Sequence, residues 1–220
     1  MKNLFLVLFV IIFSLASAQK SENVGDFTSI EAFDKLTVEL IPSDKNSIEI
    51  TGTNANNVQF INKNKRLKLR MPLDQFLQGD DTKVKVYFKQ LHQIFANEGA
   101  HINSKSKIES PSLLLNAKSG ASIHLNVEAN SLDIKTNTGG NIFAEGNANQ
   151  QSVVCNTGGI YNGENLQSKT TDVTVNAGGE AKVNASELVQ AKTRAGGNIH
   201  IFGGAEVQQQ KFAGGNIQIH

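Results

Sequence analysis

Between Phe27 and Asn97, apolar and polar residues alternate in short segments separated by turn residues. Leu36-Thr37-Val38-Glu39-Leu40 alternates, Pro42-Ser43-Asp44 interrupts, and Ser47-Ile48-Glu49-Ile50-Thr51 resumes. Val58 to Ile61, Arg66-Leu67-Lys68-Leu69-Arg70 and Lys83-Val84-Lys85-Val86-Tyr87-Phe88 carry the same period of two. Successive side chains on a strand point to opposite faces, so this period marks strands with one face in a core and one in water. No stretch carries the ~3.6-residue period of an amphipathic helix. The pattern predicts an all-β region over residues 27–97.

From residue 98 to 220 the pattern becomes a repeat. The phrase runs Thr138-Gly139-Gly140-Asn141-Ile142, Thr157-Gly158-Gly159-Ile160-Tyr161, Ala177-Gly178-Gly179-Glu180-Ala181, Ala195-Gly196-Gly197-Asn198-Ile199 and Ala213-Gly214-Gly215-Asn216-Ile217. Degenerate copies at Gly99-Ala100-His101-Ile102 and Gly120-Ala121-Ser122-Ile123 precede it, and the steps between first glycines are 21, 19, 19, 20, 18 and 18 residues. Apolar residues recur three and five positions after the first glycine, as in Ile123 and Leu125, Ile142 and Ala144, Ala181 and Val183, Ile199 and Ile201, and Ile217 and Ile219. Others recur seven and five before the next one, as in Leu113 and Leu115, Leu132 and Ile134, and Val189 and Ala191. Both sets are expected to face inward. Units of this length, each with two or more short strands and one corner, predict a parallel β-helix continuous with the preceding β region.

The corner glycines are the structural sites this reading singles out: Gly139, Gly140, Gly158, Gly159, Gly178, Gly179, Gly196, Gly197, Gly214 and Gly215. A sharp turn between strands needs positive φ, which glycine reaches without steric penalty. Asn137, Asn156 and Asn176 each stand two residues before a first glycine. They are either turn residues or a ladder of amides along rungs spaced about 4.8 Å apart. Ala117, Thr136, Cys155, Val175 and Thr193 stand three before it, so the lone cysteine, Cys155, reads as a core filler in a column of compact side chains.

Composition adds localisation. Met1-Lys2-Asn3, the apolar run Leu4 to Phe13 and Ala16-Ser17-Ala18 have the form of a secretory signal peptide cut after Ala18, leaving residues 19–26 as a linker. The apolar run is shorter than the ~20 residues a membrane span needs. Export to the periplasm or cell surface is therefore expected, with no membrane span after cleavage. Removing Lys2 leaves 20 basic against 20 acidic side chains, which argues against nucleic acid as a partner. A secreted chain with one cysteine has no internal disulfide.

The recurring Gly-Gly-Asn-Ile behind a signal peptide resembles the bacterial GIN-domain family, labelled a putative auto-transporter adhesin head domain. The opening from Phe27 to Ile50, with its strand, Pro42-Ser43 turn and second strand, is similar to the family's opening. The resemblance covers roughly residues 27–220. It implies a secreted or cell-envelope β-helix of pectin-lyase-like shape, an adhesive role and no established catalytic residues. The chain departs from the family phrase at Ile160-Tyr161 and Glu180-Ala181, where the rung register is open.

Candidate chemistry is sparse. Glu145 and Glu164 share an offset six after the first glycine, and His124 and His200 share one four after it, but the histidines are four rungs apart. No spacing in the sequence suggests a metal site, cofactor loop or nucleophile with its base. The expected function is a non-catalytic binding or adhesion module for a glycan or protein. The alternatives are a carbohydrate-active β-helix enzyme and an assembly protein that associates through solenoid ends. Weak self-association through the last rung, at Ile217 and Ile219, is a further expectation.

Overall fold

The computed structural model describes residues 20–220, so the signal peptide lies outside the described residues. The strands form one 17-stranded sheet wound into a β-solenoid of about seven turns. Its regular part consists of β10 (Ile108–Lys118), β11 (Ser122–Asn137), β12 (Asn141–Cys155), β13 (Ile160–Asn176) and β14 (Glu180–Arg194), followed by β15 (Asn198–Phe202), β16 (Glu206–Phe212) and β17 (Asn216–Ile219). All pair in parallel, each rung on the next. The units are single strands of 15 to 17 residues in β11 to β14, rather than pairs of short strands joined by turns. Each strand bends midway without a turn. At the bend two successive side chains face outward, as Asn130 and Ser131 do between buried Ala129 and Leu132.

The other corner is a tight turn. At Asn137-Thr138-Gly139-Gly140, Thr138 and Gly139 lie at φ 48° and 71°, and the Gly140 amide donates to the Asn137 carbonyl at 3.0 Å. Two left-handed central residues with that bond define a type I′ turn. The expectation that both glycines serve positive φ holds at Gly197 and Gly215, each at φ 105°, and is corrected for Gly140, Gly159 and Gly179. Gly140 is not in the left-handed region. A Cβ on Gly140 would instead overlap the Ala117 carbonyl of the preceding rung. Gly215 sits likewise over Thr193, where an added Cβ would approach Thr193 Cβ to 2.7 Å, and Gly179 over Cys155. The column of compact side chains three before each first glycine and the column of second glycines are two halves of one close contact between rungs.

The inward columns run straight through the phrases that depart from the family form. Ile102, Ile123, Ile142, Tyr161, Ala181, Ile199 and Ile217 stand in register along the core. Tyr161 is wholly buried, and the small Ala181 beside it and Gly163 two residues along make room for its ring. Its hydroxyl accepts from Gln151, which accepts in turn from Thr171 at 3.3 Å. Gln151 and Thr171 replace the apolar residue seven before the glycine, so this hydrogen-bonded group stands in for hydrophobic packing. Burial pushes the Cys155 thiol up to about 11, as befits a core filler and not a nucleophile. The asparagine ladder is partial: Asn176 donates to Asn156 at 2.8 Å, while Asn137 accepts from Thr138.

The first part of the chain belongs to the same sheet. β2 (Ser29–Ala32) and β3 (Thr37–Pro42) form one rung. They lie between a rung made of β6 (Arg66–Arg70) and β7 (Thr82–Phe88) and one made of β8 (Gln93–Ala96) and β9 (His101–Asn103). The boundary near residue 97 thus falls at a corner inside a rung. β4 (Ser47–Gly52) pairs antiparallel with β7, and β5 (Gln59–Lys63) with β6, closing this end of the solenoid. Lys20–Asn23, expected as linker, is strand β1 on the open edge of β4, where it completes a backbone ladder. At the opposite end Ile217 is covered, but Ile219 is 59% exposed despite its inward phase. Among the described residues no rung lies beyond β17 to cover it.

Candidate binding groove

A groove of about 840 Å³ runs along the bent corner across β10 to β14. One wall is a column in register, Glu109, Glu128, Asn147, Gln167 and Asn184. The floor is the small, buried series Ser110, Ala129, Ala148 and Ser168. Small side chains are required there because the strand bends over them with little core depth left. The other wall includes Asn130, Asn149 and Lys169. Pro111 occupies this wall on the first of these rungs, at the position the strand pairing skips, so its missing N–H costs no ladder bond.

The polar groups are tied to one another. Asn149 donates to Asn130 at 3.0 Å, and Asn147 donates to Glu128 at 3.1 Å. Lys107 pairs with Glu128 at 3.3 Å. The hydrogen bonds from Asn147 and Lys107 hold the Glu128 carboxyl below the usual carboxylate range. A general acid needs the opposite shift, so Glu128 is suited to accepting hydrogen bonds and not to delivering a proton. Burial and neighbouring Asp34 push the Glu98 carboxyl upward. Asp34 accepts from the backbone amide of Met71 at 2.9 Å, which makes it a fastening for the loop after β6.

The residues singled out by spacing fall elsewhere. The glycine pairs form the tight corner. Glu145 accepts from Asn126 at 3.2 Å, whereas Glu164 pairs with Lys182 at 3.7 Å. His124 packs edge-on against Phe143, and His200 stacks on His220. Among the described residues there is no group of three His, Cys, Asp or Glu placed to hold a metal, and no helix long and apolar enough to cross a membrane. The groove itself was missed by reading acids and histidines alone. The signal that marks it is amide repetition: Asn130 and Asn149 each stand ten after a first glycine, and Glu128 and Asn147 eight after.

A stack of parallel rungs with one tight and one bent corner, closed at one end by antiparallel strands, defines a single-chain β-solenoid with a polar surface groove. Residues 26–205 match the family described as "Putative auto-transporter adhesin, head GIN domain", and the chain belongs to it. No curated protein sequence matches the chain. Among solved structures, a putative adhesin of Bacteroides fragilis has the same fold, with TM-score 0.84 and 19% identity over 94% of this chain and 98% of that one. A putative adhesin of Parabacteroides merdae gives TM-score 0.73 and 19% identity over 92% and 95%. A putative lipid binding protein of Parabacteroides distasonis gives 0.69 and 16% over 91% and 96%.

Proposed function

We propose that the protein is an extracytoplasmic, non-catalytic binding module that holds an extended polar ligand along the bent corner. The observation that carries this is the groove itself, in which hydrogen-bonding side chains recur on five successive rungs over a floor of small residues. Repetition at strand spacing suits a ligand that is itself a chain, such as a glycan or an extended peptide. The signal-peptide form of residues 1–18 and the adhesin description of the family support an external location. The polar walls argue against a lipid tail as the occupant. A glycan and peptide array probed with the mature chain tests the reading. Capture of a defined polymer, weakened at least ~tenfold by Glu128→Ala with Asn147→Ala, is expected, as for central contacts of an interface. Binding that ignores this double variant would refute the groove as the site.

A second reading, assembly through the solenoid end, draws on the exposure of Phe212 at 56% on β16 and Ile219 at 59% on β17. Sedimentation across a concentration range separates the two. Association that disappears in Ile219→Lys is the result expected of end contact, and a monomer at all concentrations removes it.

A further inference from the structure

We infer a second binding site, a recess on the flat face beside the groove, that takes one neutral pyranose unit of a saccharide chain. The inference rests on the binding role proposed above, but on different residues. The recess has a volume of about 290 Å³, near the lower bound of the ~300–1,000 Å³ usual for small-molecule sites.

Its geometry follows from an abrupt change of side-chain size along one outward column. His124, Phe143 and Asn162 are in register on β11, β12 and β13. His124 packs against one side of the Phe143 ring, with centroids 4.4 Å apart and planes at 63°. On the other side the short amide of Asn162 leaves the ring uncovered, and Phe143 is 40% exposed. An isolated surface phenylalanine would be unremarkable. Here the ring is held on one side and open on the other.

The strand beyond it is irregular in the same place. Register shifts occur between Phe143 and Gly146 in the pairing of β12 with β13, and between Asn162 and Gln167 in that of β13 with β14. The extra residues of this bulge bring Asn165 to the rim of the recess. Bulges re-aim side chains and are over-represented beside functional sites. Glu145, oriented by the Asn126 amide at 3.2 Å, supplies an acceptor in the lining.

Aromatic face, amides and a carboxylate together select the ligand. The C–H face of a pyranose packs on the electron-rich ring face, while its hydroxyls bond to Asn162, Asn165 and Glu145. Burial lowers the His124 pKa, with His101 adding to the effect, which favours the neutral ring. The lining contains one carboxylate and no Lys or Arg, which disfavours uronic acid, sulfated or phosphate-bearing ligands. Asn126 and Glu145 lie two residues before Glu128 and Asn147 on the same strands. A saccharide chain in the groove therefore has the recess as an adjacent anchoring point.

Titration calorimetry tests the inference with neutral hexasaccharides (β-1,4-glucan, β-1,4-linked N-acetylglucosamine and α-mannan). A galacturonate hexamer and phosphatidylglycerol vesicles serve as counter-probes. Phe143→Ala should weaken the best neutral oligomer at least ~tenfold, and Phe143→Tyr should stay within ~threefold, because the ring and not its substituent carries the contact. Both variants should melt with the parent, since the ring lies outside the core. Unchanged binding by Phe143→Ala, tighter binding of the galacturonate oligomer, or vesicle binding with no saccharide binding would each overturn the site. Neutral-saccharide binding abolished by Glu128→Ala with Asn147→Ala, yet untouched by Phe143→Ala, would refute the recess and leave the groove reading intact.

Discussion

Gly140→Ala is expected to lower stability by at least about 3 kcal/mol, whereas Gly139→Ala at the neighbouring position should cost only about 1–2 kcal/mol. The two glycines differ in what surrounds them. Gly139 sits at φ 71° with nothing within 4 Å of a prospective Cβ, so alanine there meets only the intrinsic penalty of left-handed backbone. At Gly140 the added carbon would overlap the carbonyl carbon and oxygen of Ala117 on the preceding rung. Relief requires the rungs to separate, which lengthens ladder hydrogen bonds such as that from the Asn141 amide to the Ala121 carbonyl, now 2.9 Å. For a chain of this size about 1 kcal/mol corresponds to roughly 2–4 °C in melting temperature. Calorimetry should therefore place Gly140→Ala several degrees below Gly139→Ala. Equal melting points, or the reverse order, would show that space between rungs does not constrain the second glycine.

Ile199→Asp should be the more damaging of two substitutions one residue apart, at about 3–5 kcal/mol, while His200→Asp should change stability by about 1 kcal/mol or less. Ile199 is wholly buried between Ala181 and Ile217 in the core column. A carboxylate there has no partner and must either remain charged in an apolar setting or take up a proton. His200 faces outward and is half-buried, its ring stacked on His220 at 5.4 Å. Urea unfolding of both variants measures the difference directly, and equal midpoints would refute the inward and outward assignment of β15.

The spacing of glycines made the solenoid legible, because each rung must turn at the same place and so repeats the same residues there. The inward columns were legible for the same reason, down to His200 lying between two buried isoleucines. Three features left no comparable trace. Across β10 to β14 the second corner is a bend over Ala129 and its equivalents, made without glycine, and Gly203-Gly204 mark it only on the rung after β14. The second glycine's role depends on Ala117, a residue one rung away, and local turn chemistry cannot reveal such a neighbour. Tyr161 looked like a break in register. It is instead a volume exchange, in which Ala181 and Gly163 yield the space one large ring takes. The groove and the recess both lie on outward columns, where identity is not dictated by packing and the period of two says only that side chains are polar.

The order of the first rungs has a kinetic meaning. Ile30 pairs in register with Leu67 on one side and Ile94 on the other. The later rungs each add to one already made, in sequence order, with short loops to close. The amino-terminal end cannot grow by that rule: β2 and β3 are synthesised before β6 to β9 and remain open on both edges until those strands exist. The carboxyl-terminal rungs can zip up one at a time, whereas the closed end must assemble from several segments at once. The slow step of folding is therefore expected at the cap, with the regular repeat following it.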